Sequence, residues 1–162
     1  MTDGGIGGMS ISAELNLDMP ITDLRHETVL NIVHTANTLA VAALRLFRRF
    51  DLTEAQFNVL FALKYKNVTI TQSELGKRLV VTRASITSVL DKLEQKGLVE
   101  RMTVEGNRRI HHVELTAKGR RLIDRIEPHY RDILQKVLED LNDADCRSLI
   151  GQLERIRMIA KQ

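Results

Sequence analysis

Three sets of residues in this chain have the types and spacing to do chemistry. The first lies in TRASITSVLDKLEQKGLVER, residues 82–101. Set about 100° apart, as on an α-helix, Ile86, Val89, Leu90 and Leu93 share one side. Ala84, Thr87, Ser88 and Asp91 share the other, flanked by Ser85 and Lys92. That outer side is low in bulk, so the helix can approach another surface closely. Its hydroxyls donate or accept, which suits phosphate oxygens and base edges. Arg83 stands at the N-terminal end, where the helix dipole favours an anion. Its planar guanidinium matches phosphate and guanine. The second set is RMTVEGNRRIHHVEL, with Arg108 and Arg109 beside a tight turn at Gly106-Asn107. A hairpin with a basic tip reaches a minor groove, where negative potential concentrates. The third set is five histidines and one cysteine.

This third set points to little. His26, His34, His111, His112 and His129 lack helical metal-ligand spacing, and His111 and His112 are neighbours on a predicted strand, facing opposite sides. No metal and no cofactor is expected. A single cysteine, Cys146, excludes an internal disulfide and a four-thiolate zinc site. No Gly-rich phosphate loop, nucleophile elbow or Ser–His–Asp set is present, and Glu139 and Asp140 diverge as neighbours on a helix. An enzyme is not expected.

The elements that must position the first two sets are legible. Thr82 is a good N-cap and Gly97 a good C-cap for the outer-face helix. Before it, TQSELGKRL starts with Thr71 and Glu74 in capping-box spacing, with Leu75 and Leu79 turned inward. Val80 and Val81 make the turn between the two. This is a helix-turn-helix, whose second helix enters a DNA major groove by its N-terminus. The hairpin that follows makes it a winged helix. An ordinary amphipathic helix with a solvated face, and a hairpin whose arginines aid solubility, are the competing readings. Between residues 71 and 116, eight Lys and Arg face six Asp and Glu, so layout matters more than the sum. Asp91 would repel phosphate unless an Arg pairs with it or it accepts from a cytosine amino group.

Around this module the chain is helical. Residues 1–20 are Gly-rich and read as an irregular, flexible leader. Residues 21–50 carry Leu30, Val33, Ala36, Ala40, Ala43, Leu44 and Phe47 at helical spacing, with more apolar residues beside that stripe. Thr53 and Gln56 open the next helix with a capping box. Thr116 caps a long helix in which Pro128 should bend or break the path. The last helix aligns Leu149, Ile150, Leu153, Ile156 and Ala160. The expected domains are the leader, a dimerisation helix at 21–50, the winged helix-turn-helix at 51–116, and dimerisation helices at 117–162. The terminal helices carry more apolar surface than one winged domain covers, so a homodimer with two-fold symmetry is expected. The start lacks a signal peptide's basic and apolar regions, and no unbroken apolar run reaches bilayer length. A cytoplasmic protein without a membrane partner follows.

LTEAQFNVLFAL, TQSELGKRLVVTRASITSVLDKLEQKGLVER and NRRIHHVELTAKGR together resemble the multiple antibiotic resistance regulator (MarR) family of bacterial transcription factors, over about residues 25–160. The resemblance implies a mainly α, α+β fold: a winged helix-turn-helix with N- and C-terminal helices forming a dimerisation domain. It implies a homodimeric repressor or activator on a near-palindromic double-stranded DNA site, with residues 82–93 as recognition helix and 99–115 as wing. Thr82, Arg83, Ala84, Ser85, Thr87, Ser88, Lys92, Arg108 and Arg109 are the DNA-binding candidates. Where the family has Asp-x-Arg at the wing, this chain has Asn107 and keeps Arg109; an Asn can still hydrogen-bond but supplies no charge. The resemblance also implies an aromatic acid or phenol as ligand, with His34 and Arg45 as candidate contacts. Family members that sense oxidants use a cysteine near the N-terminal helix, which is absent here. A redox-responsive regulator acting through Cys146 is one alternative, and a dimeric module that binds only protein is another.

Overall fold

The computed structural model describes residues 10–66, 69–79, 82–104 and 107–162; the side chains of Arg83 and of residues 104–110 lie outside that description. So do residues 1–9 of the Gly-rich leader, the predicted turn at Val80 and Val81, and Gly106 of the predicted hairpin turn. The chain divides into two compact units, residues 1–45 and 46–162.

In the first unit, α1 (Ile11–Glu14) precedes α2 (Leu24–Arg49), whose last turn passes into the second unit. The leader is therefore not irregular throughout. Ser10 caps α1, Ile11 is buried, and Glu14 meets His34 of α2 at 2.9 Å. Asp23 accepts from the Arg25 N–H at 2.8 Å and so sets the start of α2 three residues later than the apolar pattern indicates. Val29, Val33 and Val41 remain exposed along α2. By length and composition α2 is also apolar enough to cross a membrane, with a mean hydropathy of 1.3 over its best stretch. A search for an unbroken apolar run stops at Asn31, His34 and Asn37, whereas the average tolerates them. The same composition suits a helix covered by protein.

The second unit contains α3 (Glu54–Lys64), β1 (Ile70–Thr71), α4 (Gln72–Arg78), α5 (Arg83–Gln95), β2 (Val99–Val104), β3 (Asn107–Leu115), α6 (Ala117–Val137) and α7 (Asp143–Ile159). Four threonine-based starts organise it. Thr53 and Gln56 form a complete capping box, as do Thr71 and Glu74. Thr82 accepts from the Ser85 N–H and Thr116 from the Gly119 N–H. The sheet has three antiparallel strands in the order β1-β3-β2, not the two of a simple hairpin. The extra strand is only two residues long, too short to show a period. It is held because Ile70 lies opposite Val113, and both are buried.

Leu60, Leu75, Ile86, Leu90, Leu93, Val113 and Ile123 are fully buried and form the core beneath these elements. Phe57 stacks on Phe47 at 4.2 Å between ring centroids and packs against Tyr130 of α6 at 5.0 Å. Pro128 does not break α6, which runs as one helix from Ala117 to Val137. Loss of one backbone N–H is tolerated because side-chain contacts anchor the helix on both sides of the proline. Ile123 and Ile126 are buried before it, and Tyr130 packs after it. α7 buries no residue at all, and Leu149, Ile150 and Ile156 lie exposed on it.

Candidate nucleic-acid interface

The candidate reading helix is α5. Ile86, Leu90 and Leu93 fix its inner side by full burial. Its start is fixed by Thr82, whose hydroxyl accepts the Ser85 N–H at 3.2 Å and shares a second hydrogen bond with the Ser85 hydroxyl at 2.8 Å. Its end is a Schellman motif. Gly97, at φ +66°, donates to the Glu94 carbonyl at 2.8 Å, and Leu98 donates to the Leu93 carbonyl at 2.9 Å. Gly97 is thus one residue beyond Lys96, the C-cap itself.

Ala84, Thr87, Ser88, Asp91, Lys92 and Gln95 line an open groove of about 760 Å³ along the outer side of α5. Ala84, Ser85, Ser88 and Lys92 are exposed, and Thr87 is half-buried. Gln72, at the start of α4, donates to the Thr87 hydroxyl at 2.6 Å and ties the two helices together. Glu74 holds the start of α4 by accepting from the Thr71 backbone N–H and hydroxyl, both at 2.8 Å. Those bonds keep its carboxyl below the usual carboxylate range.

Arg101 on β2 is the residue that sequence reasoning missed. Its guanidinium lies 2.7 Å from Asp91 and 2.8 Å from Glu94, and it donates to the Thr87 carbonyl at 3.4 Å. Its own backbone N–H donates to Glu94 at 3.3 Å. Asp91, the awkward carboxylate of the outer side, is therefore paired. In sequence the partners are ten and seven residues apart and on different element types, so no periodicity links them. The only available signal is the requirement that Asp91 find an arginine.

Beyond Arg101 the β2–β3 ladder runs from Val99↔Leu115 to Val104↔Asn107, with an irregularity between Thr103 and Val104. At about 3.4 Å per residue the hairpin projects roughly 17 Å from the end of α5. The backbones of Arg108 and Arg109 occupy the first positions of β3 after Asn107, at the far end of that projection.

Elsewhere the candidate residues disperse. His34 pairs with Glu14, while Arg45 is exposed eleven residues further along α2, about 16 Å of helical rise away. Among the described residues no three His, Cys, Asp or Glu side chains gather as metal ligands. Cys146 is half-buried in the first turn of α7.

Comparison with known proteins fits this geometry. The sequence model of the MarR family matches residues 52–111. The HTH-type transcriptional regulator PecS of Dickeya dadantii is 31% identical over 145 residues, covering 85% of this chain and 87% of that protein. The chain belongs to the MarR family. Escherichia coli MarR, solved in its apo form, aligns with a TM-score of 0.66 and 27% identity over 85% of this chain and 98% of its own. Among more distant structures of the MarR fold, S. aureus MepR, solved as a complex with DNA, aligns with a TM-score of 0.72 and 20% identity over 81% of this chain and 95% of its own. The chain is thus a winged-helix transcriptional regulator that binds DNA, as the resemblance implied.

Proposed function

We propose that this MarR-family regulator works as a homodimer that reads a near-palindromic operator with α5 in the major groove and the β2–β3 wing in the neighbouring minor groove. Thr82, Arg83, Ala84, Ser85, Thr87, Ser88 and Lys92 form the reading surface, and Arg108 and Arg109 the wing contacts. The observation that carries this reading is the uncluttered outer side of α5, held rigid at both ends and flanked by the projecting hairpin. MepR's solution with DNA supports the same use of the fold.

Dimerisation accounts for the apolar surface left exposed in both units, Val29, Val33 and Val41 on α2 and Leu149, Ile150 and Ile156 on α7. A second copy is the simplest cover, and residues 21–50 and 117–162 supply it. The protein has no catalytic task and acts where its DNA lies, in the cytoplasm. As a repressor it releases DNA when an aromatic acid or phenol favours a different spacing of the two reading helices. The test is a gel-shift titration with genomic fragments. Sequence-preferring binding that weakens steeply with salt supports the reading. Binding indifferent to sequence, or none, overturns it.

A further inference from the structure

α5 carries two exposed carboxylates, Asp91 on its outer side and Glu94 on the flank facing the wing's root. Asp91 lines the groove itself, and Glu94 follows it by three residues. Both are substantially exposed, at 48% and 42% of their side-chain surface. Left alone, each would repel phosphate. The groups around them answer this. Arg101 reaches across from β2 with only 17% of its side chain exposed and meets both carboxylates. Its Nε is buried without a hydrogen-bond partner among the described residues, so the guanidinium spends its other nitrogens on this cluster. Lys92, on the same side, contributes a further exposed cation.

We infer that Arg101 is a positioning residue for DNA reading that masks the charge of Asp91 and Glu94, so that an otherwise repulsive helix can seat in a groove. The inference rests on α5 being the DNA-facing helix. Arg101 need not touch DNA. It stands at the base of the wing and joins strand to helix, so one side chain both neutralises the reading surface and fixes the wing's root against it. The arrangement differs from a surface ion pair made for stability. Exposure of both carboxylates screens the bridge and limits its share in stability, whereas at a DNA face the sign of the exposed charge decides encounter.

Charge masking and mechanical support predict different salt behaviour. Repulsion between unmasked carboxylates and phosphates is screened as salt rises; a misplaced wing is not repaired by salt. The experiment is fluorescence anisotropy of full-length protein on a labelled operator fragment, titrated from about 50 mM to about 300 mM salt. The variants are Arg101→Met, the triple variant Arg101→Met/Asp91→Asn/Glu94→Gln, and the double variant Asp91→Asn/Glu94→Gln. Arg101→Met should bind about tenfold more weakly at the lowest salt, the deficit shrinking to about twofold at the highest. The triple variant should return to within about threefold of the parent. A deficit independent of salt, or one the triple variant does not recover, overturns the inference. If Arg101→Met does not fold, the double variant decides. With Arg101 left uncompensated it should bind several-fold tighter than the parent at low salt, and unchanged or weaker binding overturns the inference. The parent's own titration tests the DNA-facing assignment separately, since failure of sequence-preferring binding there removes the reading on which this inference stands.

Discussion

Glu127 of α6 is held by two successive residues at the end of α3: its carboxylate accepts from the Lys64 ammonium and from the Tyr65 hydroxyl. Lys64 also meets Asp124, one turn earlier on α6, at 2.8 Å, and Arg131 flanks Glu127 at 3.5 Å. This cluster fastens the helix that leaves the winged domain onto the first helix of that domain. α3 in turn packs against α5.

Glu127→Ala should destabilise the protein by about 2 kcal/mol. That is less than the roughly 3–5 kcal/mol of a fully buried broken pair. The discount follows from exposure, because Lys64 keeps 20% of its side-chain surface and Glu127 12%. Urea titration should show a lower midpoint with an unchanged slope.

The same cluster predicts an acid limb. Hydrogen bonds from Lys64 and then Tyr65 hold the Glu127 carboxyl below its ordinary value of 4.5. A group depressed on folding adds stability that is complete above its unfolded value and is lost as pH falls through the folded one. Bonds to Asp124 and Glu127 raise Lys64 above its ordinary 10.5, so its share is complete below that value and fades only as pH rises beyond it. Urea stability of the parent should therefore be flat through neutral pH and drop below about pH 4.5, and Glu127→Gln should flatten that drop.

Two glycines offer the same substitution with different causes. Gly97 has φ +66° and open space where a Cβ would stand, so Gly97→Ala should cost about 1 kcal/mol from backbone strain alone. A Cβ on Gly119 would lie 2.0 Å from the Leu98 carbonyl oxygen. Gly119→Ala should cost more, about 3 kcal/mol, because the neighbour is backbone and cannot turn away. Thermal melts of both variants, read side by side, check the order.

These contrasts show what was legible in the sequence. Thr53, Thr71, Thr82 and Thr116 announce helix starts because a cap bonds to a backbone group only three residues on, and the code is local. The buried side of α5 is legible for the same reason, since Ile86, Leu90 and Leu93 obey one period. The partners of Arg101 and Glu127 are not. Lys64 and Glu127 lie 63 residues apart and meet only once α3 packs on α6. β1 escaped because two residues carry no alternation, and α1 because a single turn carries no stripe. The small residues on the outer side of α5 are legible by what they lack, bulk and apolar side chains; Arg101, which pairs with Asp91, sits in a strand where no period links the two.

Within the proposed interface, Arg83→Ala should weaken operator binding by roughly 1–3 kcal/mol and relax base preference. Arg109→Ala should weaken binding to all sequences alike and flatten the salt dependence. Competition titrations with operator and unrelated DNA distinguish the two. Equal affinities for both variants and the parent would refute the placement of these side chains.

Dimerisation is tested on α7. Light scattering at micromolar concentration should give twice the mass of the chain for the parent. Ile150→Glu sets a charge among exposed Leu149, Ile150 and Ile156 and should shift the population to the monomer while leaving the fold's circular dichroism intact. A dimer unaffected by this charge would place the interface elsewhere.

Hydroxyl-radical footprinting of the parent on an operator selected from genomic fragments tests the central claim most directly. Two copies holding two reading helices against one face of a duplex should protect two patches about one helical turn, roughly 10 base pairs, apart, related by two-fold symmetry. A single patch, or protection without sequence preference, would contradict the account.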